Sequence, residues 1–211
     1  MRNATRITVS TFGALAGLAG IEHGIGEILQ GNVAPGGMMI LSWPESKIFR
    51  ILGGEPAMTV VPNLLVSGIL TIVLSLVFLV WTIRFVQRKH GGLALILLSI
   101  AMLLSGGGFG PPMLGIIVGS TATRINSPFT RWHAHLSVNT RRFLGKLWFW
   151  SFLAGLIAWL LLLPGSVILD YFFGVNDPNL IYAFIFSAFG FLLVTIFTAF
   201  AHDSQRKPEG S

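Results

Sequence analysis

Five apolar stretches, separated by charged, glycine-rich or proline-rich connections, leave this chain few folds other than a bundle of membrane helices. They cover residues 7–29, 61–85, 92–119, 144–163 and 180–201. A helix rises about 1.5 Å per residue, so roughly 20 apolar residues cross a hydrocarbon core of about 30 Å. With 53% of 211 residues hydrophobic and 10% charged, little is left over for a soluble domain. No stretch has the alternating ten-residue pattern of an outer-membrane barrel. The expected architecture is an all-α, polytopic integral membrane protein forming a single membrane domain over 1–211. An outer loop at 30–60, a cytoplasmic loop at 120–143 and a tail at 202–211 complete it.

The third stretch differs from the rest. Ser105, Gly106, Gly107, Gly108, Phe109, Gly110, Pro111 and Pro112 place four glycines and two prolines in succession at its middle. Proline removes a backbone donor and glycine weakens a helix, so the helix should break there. The basic residues favour the same conclusion. If residues 92–119 enter and leave on one side, only Lys47 and Arg50 of the 14 Lys and Arg lie outside. If they cross, the bias toward cytoplasmic positive charge is poorer. Four transmembrane helices plus a broken, re-entrant hairpin are therefore predicted; five helices with a Gly/Pro-kinked third are the alternative. Irregular backbone at that depth must be buried in protein or line a wet cavity.

Several local signals fit this map. Ser42-Trp43-Pro44-Glu45 has capping-box spacing and predicts a short helix ending at Gly53-Gly54. Asp177-Pro178 supplies an N-cap and a first-turn proline for the last span. Arg84, Arg88, Lys89, Arg131, Arg141 and Arg142 are expected to meet anionic headgroups of the cytoplasmic leaflet, and to account for the net charge of +6 without nucleic-acid binding. Both termini are then cytoplasmic, in a multi-pass protein of the cell membrane. A cleaved leader within residues 1–20 is the competing reading of the first stretch. The absence of cysteine excludes disulfides and thiolate chemistry.

The candidate chemistry lies in the first stretch. Glu22, His23 and Glu27 are ionisable where a membrane helix carries few such groups, and such residues are a functional hypothesis by default. His23 and Glu27 are one turn apart, so proton exchange between them is expected, with Glu22 on roughly the opposite side. Gly13, Gly17, Gly20 and Gly24 form a stripe against which another helix can pack closely. A metal site is not expected, because His23 and Glu27 lack a third ligand. His133, His135 and the His202/Asp203 pair are predicted to face the other side of the membrane. Ser105 has no partner to activate it, so no catalytic residue is assigned and no cofactor is implied. Ser67, Thr71 and Ser75 form a further stripe, suited to interhelical hydrogen bonds or to a polar lining.

The favoured expectation is a small proton- or cation-linked permease or channel-like protein, with its path running from Glu22/His23/Glu27 to the turn at 106–112. The alternative is a non-catalytic scaffold or assembly subunit whose glycine face binds a membrane partner or a second copy. A metal-dependent intramembrane enzyme is the third reading.

Overall fold

The computed structural model describes residues 3–125 and 136–205. It is mostly helical, and four helical stretches are long and apolar enough to cross a membrane. Helix α1 covers Ala4–Leu29. The loop after it carries a short antiparallel ribbon, β1 Met39–Leu41 against β2 Pro56–Met58, with Met39 opposite Met58. Helix α2, Leu64–Val80, continues through one π-helical turn, Trp81–Phe85. Helices α3, Gly91–Leu104, and α4, Gly110–Ala122, are shorter. Helix α5, Val138–Leu160, runs through a second π turn, Leu161–Gly165, into α6, Ser166–Phe173. Helix α7 is Pro178–Asp203.

Polar caps set most of the starts. Asn3, Asn63, Ser137 and Asp177 each accept a hydrogen bond from a backbone N–H of the first turn, satisfying a donor that the helix itself leaves free. Inside, Phe12, Ala16, Phe78, Leu95, Met102, Leu114, Trp159 and Leu192 form a close-packed apolar core. Outside, Val73, Phe172, Phe186 and Phe197 are exposed. Helices apolar on both faces are what a hydrocarbon solvent requires.

The glycine stripe is what lets α2 lie against α1. Gly13 faces Thr82, Gly17 faces Leu79, Gly20 faces Ser75 and Gly24 faces Ile72, so the two helices run antiparallel. A methyl group at Gly13, Gly20 or Gly24 would run into α2 or the π turn that continues it, so this face is filled from within the chain.

Residues 92–119 form a helical hairpin. Gly92 lies against Gly119 and Thr123, and Gly115 against Ser99, so α3 and α4 are antiparallel and return residues 91 and 122 to one end of the bundle. At about 1.5 Å per residue the 14 residues of α3 reach roughly 21 Å. That end also gathers the first turn of α1, the start of α5 and the end of α7: Asn3 donates to the Ile125 carbonyl, Ala4 to Asp203, and Gln205 to the Arg141 carbonyl. Arg84, Arg88, Lys89 and Arg142 are exposed there and Arg141 is half-buried, whereas Arg131, His133 and His135 lie outside the described residues.

Two sequence expectations are corrected. Residues 42–53 form no capped helix; only the 3₁₀ turn Arg50–Leu52 is helical, closed by left-handed Gly53. The Ser42 hydroxyl is engaged by His23, and the Trp43 N–H donates to the Gly54 carbonyl, so neither group serves a helix start. The fourth span does not stop near residue 163. Pro164 is absorbed by the π turn, and the helix continues to Phe173.

Candidate functional site

The last two turns of α1, the tip of the hairpin and the loop 30–63 meet at the end of the bundle opposite the basic one. The tip supplies shape. Gly106 and Gly108 have φ of 105° and 73°, which glycine adopts without the cost a side chain brings. Space demands glycine there too: a Cβ on Gly106 would collide with the Glu27 carboxylate, and one on Gly108 with the His23 imidazole. The tip is fastened from behind. Ser67 and Thr71 both donate to the Ser105 carbonyl, at 2.6 and 2.5 Å, and Val60 N–H donates to the Leu104 carbonyl at 2.9 Å. Two members of the polar stripe on α2 thus serve interhelical hydrogen bonding. The third, Ser75, is buried against Gly20.

The loop supplies chemistry. Gly26 has room for Ser42 and Trp43 where a side chain would not fit. Gln30 donates to the carbonyls of Leu41 and Ser42, both at 3.0 Å, and clamps the loop to the end of α1. Ser42 N–H donates to the Glu55 carbonyl at 3.0 Å, which extends the β1–β2 ladder by one step and sets these two residues across from each other. Both side chains reach His23. Ser42 Oγ is 2.8 Å from Nδ1, and Glu55 Oε2 is 3.4 Å from Nε2. Glu55 follows Gly53 and Gly54 in a left-handed run and has φ of 55°, a conformation uncommon for a residue with a side chain. Strain of this kind is kept only where surrounding structure imposes it, and it concentrates at functional sites.

Glu22 completes the group. One ligand-type atom from each of Glu22, His23 and Glu55 lies within 4.8 Å of the others. His23 and Glu55 are buried and Glu22 half-buried. Glu22 Oε1 and Glu55 Oε2 are shielded from solvent with no hydrogen-bond donor in good geometry, and both oxygens of Glu27 share that condition. Glu22 faces Glu55 and Trp43, and Glu27 faces Ser67, so these carboxyls meet few donors where buried polar atoms are normally satisfied.

Two apolar clefts flank the cluster. One, of about 460 Å³, runs between α1, Phe49, the π turn and α6 and reaches Glu22 and Glu55. The other, of about 380 Å³, runs under Leu52 and Phe109 toward Trp159 and reaches His23 and Glu55. Leu15, Ala19, Glu55 and Leu163 line both. Arg50 holds the roof over the first by pairing with buried Asp170 of α6 at 2.7 Å. Trp43 stacks on Phe49 beside it, with ring centroids 4.8 Å apart.

Glu22 and His23 are thus brought together, and with Glu55, which the sequence reading did not single out. His23 and Glu27 share no hydrogen bond despite their one-turn spacing: His23 turns to the loop, and Glu27 lies against Gly106. Ser105 acts through its carbonyl as an anchor, Gly107 packs on the Met102 carbonyl, and Pro111 and Pro112 are buried in the first turn of α4. Gly110, which opens that helix, has open space around it. Comparison with known protein families, with characterised proteins and with solved structures returns no match.

Proposed function

We propose that this membrane protein binds an amphipathic, bilayer-dissolved molecule, with the polar end at Glu22, His23 and Glu55 and the apolar body in the flanking clefts. The observation that carries this reading is that both clefts end at Glu55, while their remaining walls are almost entirely apolar. Their sizes fall within the range of about 300–1,000 Å³ that small-molecule sites occupy. In this reading the basic end lies in the cytoplasm of a cell-membrane protein and the hairpin dips in from that side, because Lys and Arg concentrate on cytoplasmic loops. The test is native mass spectrometry of the protein extracted with its own lipids. A bound small amphipath is expected, and Ala19→Trp, which fills both clefts from a half-buried position, should displace it. A wild-type protein carrying no such molecule, or a variant carrying as much, overturns the reading.

Proton- or cation-linked permeation is a second reading, favoured by Glu27. Its carboxylate is fully buried beneath the hairpin tip with no donor in good geometry. Phe12, Phe78, Leu95 and Met102 fill the interior below, so conduction would require the hairpin to shift. In proteoliposomes holding an internal pH dye, Glu22→Gln and Glu27→Gln should each suppress the flux; an unchanged flux removes this reading.

A further inference from the structure

We infer that Glu22, His23 and Glu55 bind a single divalent first-row transition-metal ion, with one coordination position left open toward the clefts. The donor set is one imidazole nitrogen and two carboxylate groups, and the chain has no cysteine to compete for the ion. Nitrogen and oxygen donors of this mix suit Zn²⁺, Mn²⁺ or Fe²⁺, whereas the imidazole disfavours Ca²⁺ and Mg²⁺. Three protein ligands with a vacant fourth position distinguish reactive zinc-type sites from closed structural ones.

The His23–Glu55 distance agrees with ligation better than with direct hydrogen bonding, and the Glu22 ligand atom lies within 4.8 Å of both. His23 Nε2 and Glu55 Oε2 are 3.4 Å apart, and Glu55 Oε2 makes no hydrogen bond. Good N–H···O bonds measure about 2.7–3.2 Å. A tetrahedral ion with bonds of about 2.0 Å, by contrast, holds neighbouring ligand atoms roughly 3.3 Å apart. The outer contacts are arranged to match. In the tautomer whose Nδ1–H donates to Ser42 Oγ, at 2.8 Å, the Nε2 lone pair faces Glu55 and Glu22. Metal-binding histidines characteristically donate their second nitrogen in this way. Independently of the cluster itself, the Glu55 side chain is more than nine-tenths buried, and its Oε2 has no donor while aimed at His23.

This inference goes beyond amphipath binding and stands apart from it: a protein that holds metal and no lipid, or lipid and no metal, separates the two. The full chain is purified in detergent, treated with chelator, desalted, loaded with Zn²⁺ or Mn²⁺ and desalted again before elemental analysis. One ion per chain is expected for wild type. His23→Gln and Glu55→Gln, shown to be monodisperse and helical, should retain roughly a tenth of an ion or less. Glu27→Gln, outside the cluster, should retain the full ion. Ser42→Ala should weaken binding on the order of 10-fold, the effect of a lost outer-shell partner. Should the variants fail to fold, X-ray absorption on zinc-loaded wild type decides, because one imidazole with oxygen neighbours is expected around the ion. Folded wild type with no stoichiometric metal, equal loading of wild type and both ligand variants, or a first shell without imidazole overturns the inference.

Discussion

At one end of the bundle the Asp203 carboxylate accepts hydrogen bonds from Ala4 N–H at 3.0 Å, Thr5 N–H at 2.9 Å and Thr5 Oγ1 at 2.7 Å, with His202 alongside at 3.3 Å. At the other end Glu55 also sits beside a histidine, at 3.4 Å, but its inner oxygen has no donor. Residue types and the burial of the two carboxylates are similar, and their surroundings are not. Asp203 terminates α7 on the first turn of α1, where free N–H groups and the helix dipole favour an anion. It closes the chain into a bundle and is chemically spent. Glu55 and Glu22 have no backbone donors of this kind; they face each other and Trp43, and the clefts beside them are apolar. A histidine beside a carboxylate is therefore weak evidence of function until the carboxylate's remaining hydrogen bonds are counted.

The sharpest way to break this contrast is to remove each carboxylate in turn. Asp203→Ala leaves two buried backbone donors and a hydroxyl without an acceptor, and should cost about 3–5 kcal/mol in thermal unfolding in detergent. Glu55→Gln keeps the volume, removes a carboxylate that accepts no backbone hydrogen bond at its inner oxygen, and should stay within about 1 kcal/mol of wild type in metal-free buffer. If the two losses were equal, Glu55 would be as structural as Asp203. The distinction drawn here would then fail.

The hairpin tip sharpens the same contrast at a smaller scale, because its glycines serve the site and not the lock. Gly108→Ala combines a left-handed backbone with a methyl group pressed into the His23 ring. A cost of about 2–4 kcal/mol is expected, together with displacement of His23. Gly110→Ala, two residues on and with nothing near its Cβ, is the control and should be close to neutral. Equal unfolding temperatures for these two variants would mean that the tip does not rest on His23.

How much of this was legible beforehand follows from what each residue costs. Glu22, His23 and Glu27 stand out because ionisable groups in an apolar run are expensive, and 105–112 stands out because glycine and proline cannot extend a helix. The glycine stripe was equally visible, but whether its partner came from the same chain or another depended on tertiary pairing. Glu55 was hidden. It occupies a polar loop, where glutamate is ordinary, and it reaches His23 only through a ribbon whose strands are three residues long, too short for periodicity to register. The available signal was Gly53-Gly54 before it and Pro56 after it, a pattern that punctuates a turn and so puts the residue between them at a fixed corner. The capping-box spacing at Ser42 pointed to a helix because spacing carries no information about which acceptor or donor is nearer in space. His23 was nearer.

The smallest expected effect concerns the two hydroxyls that accompany these carboxylates. Ser42→Ala takes away the hydrogen bond to His23 Nδ1 and should cost about 1 kcal/mol, little more than Thr5→Ala, which leaves Asp203 its two backbone donors. Stability alone hardly separates them; the imidazoles do. In wild type Ser42 at Nδ1 and Glu55 at Nε2 hold the ring between them, so ¹⁵N imidazole spectra should report one tautomer at that residue. Without the hydroxyl one of these two holds is gone, and the spectra should show the second tautomer alongside the first. Thr5→Ala should leave the His23 signals as they are. A single unchanged His23 tautomer in Ser42→Ala would show that the loop does not orient this ring, and would return Ser42 to the ordinary role its spacing suggested.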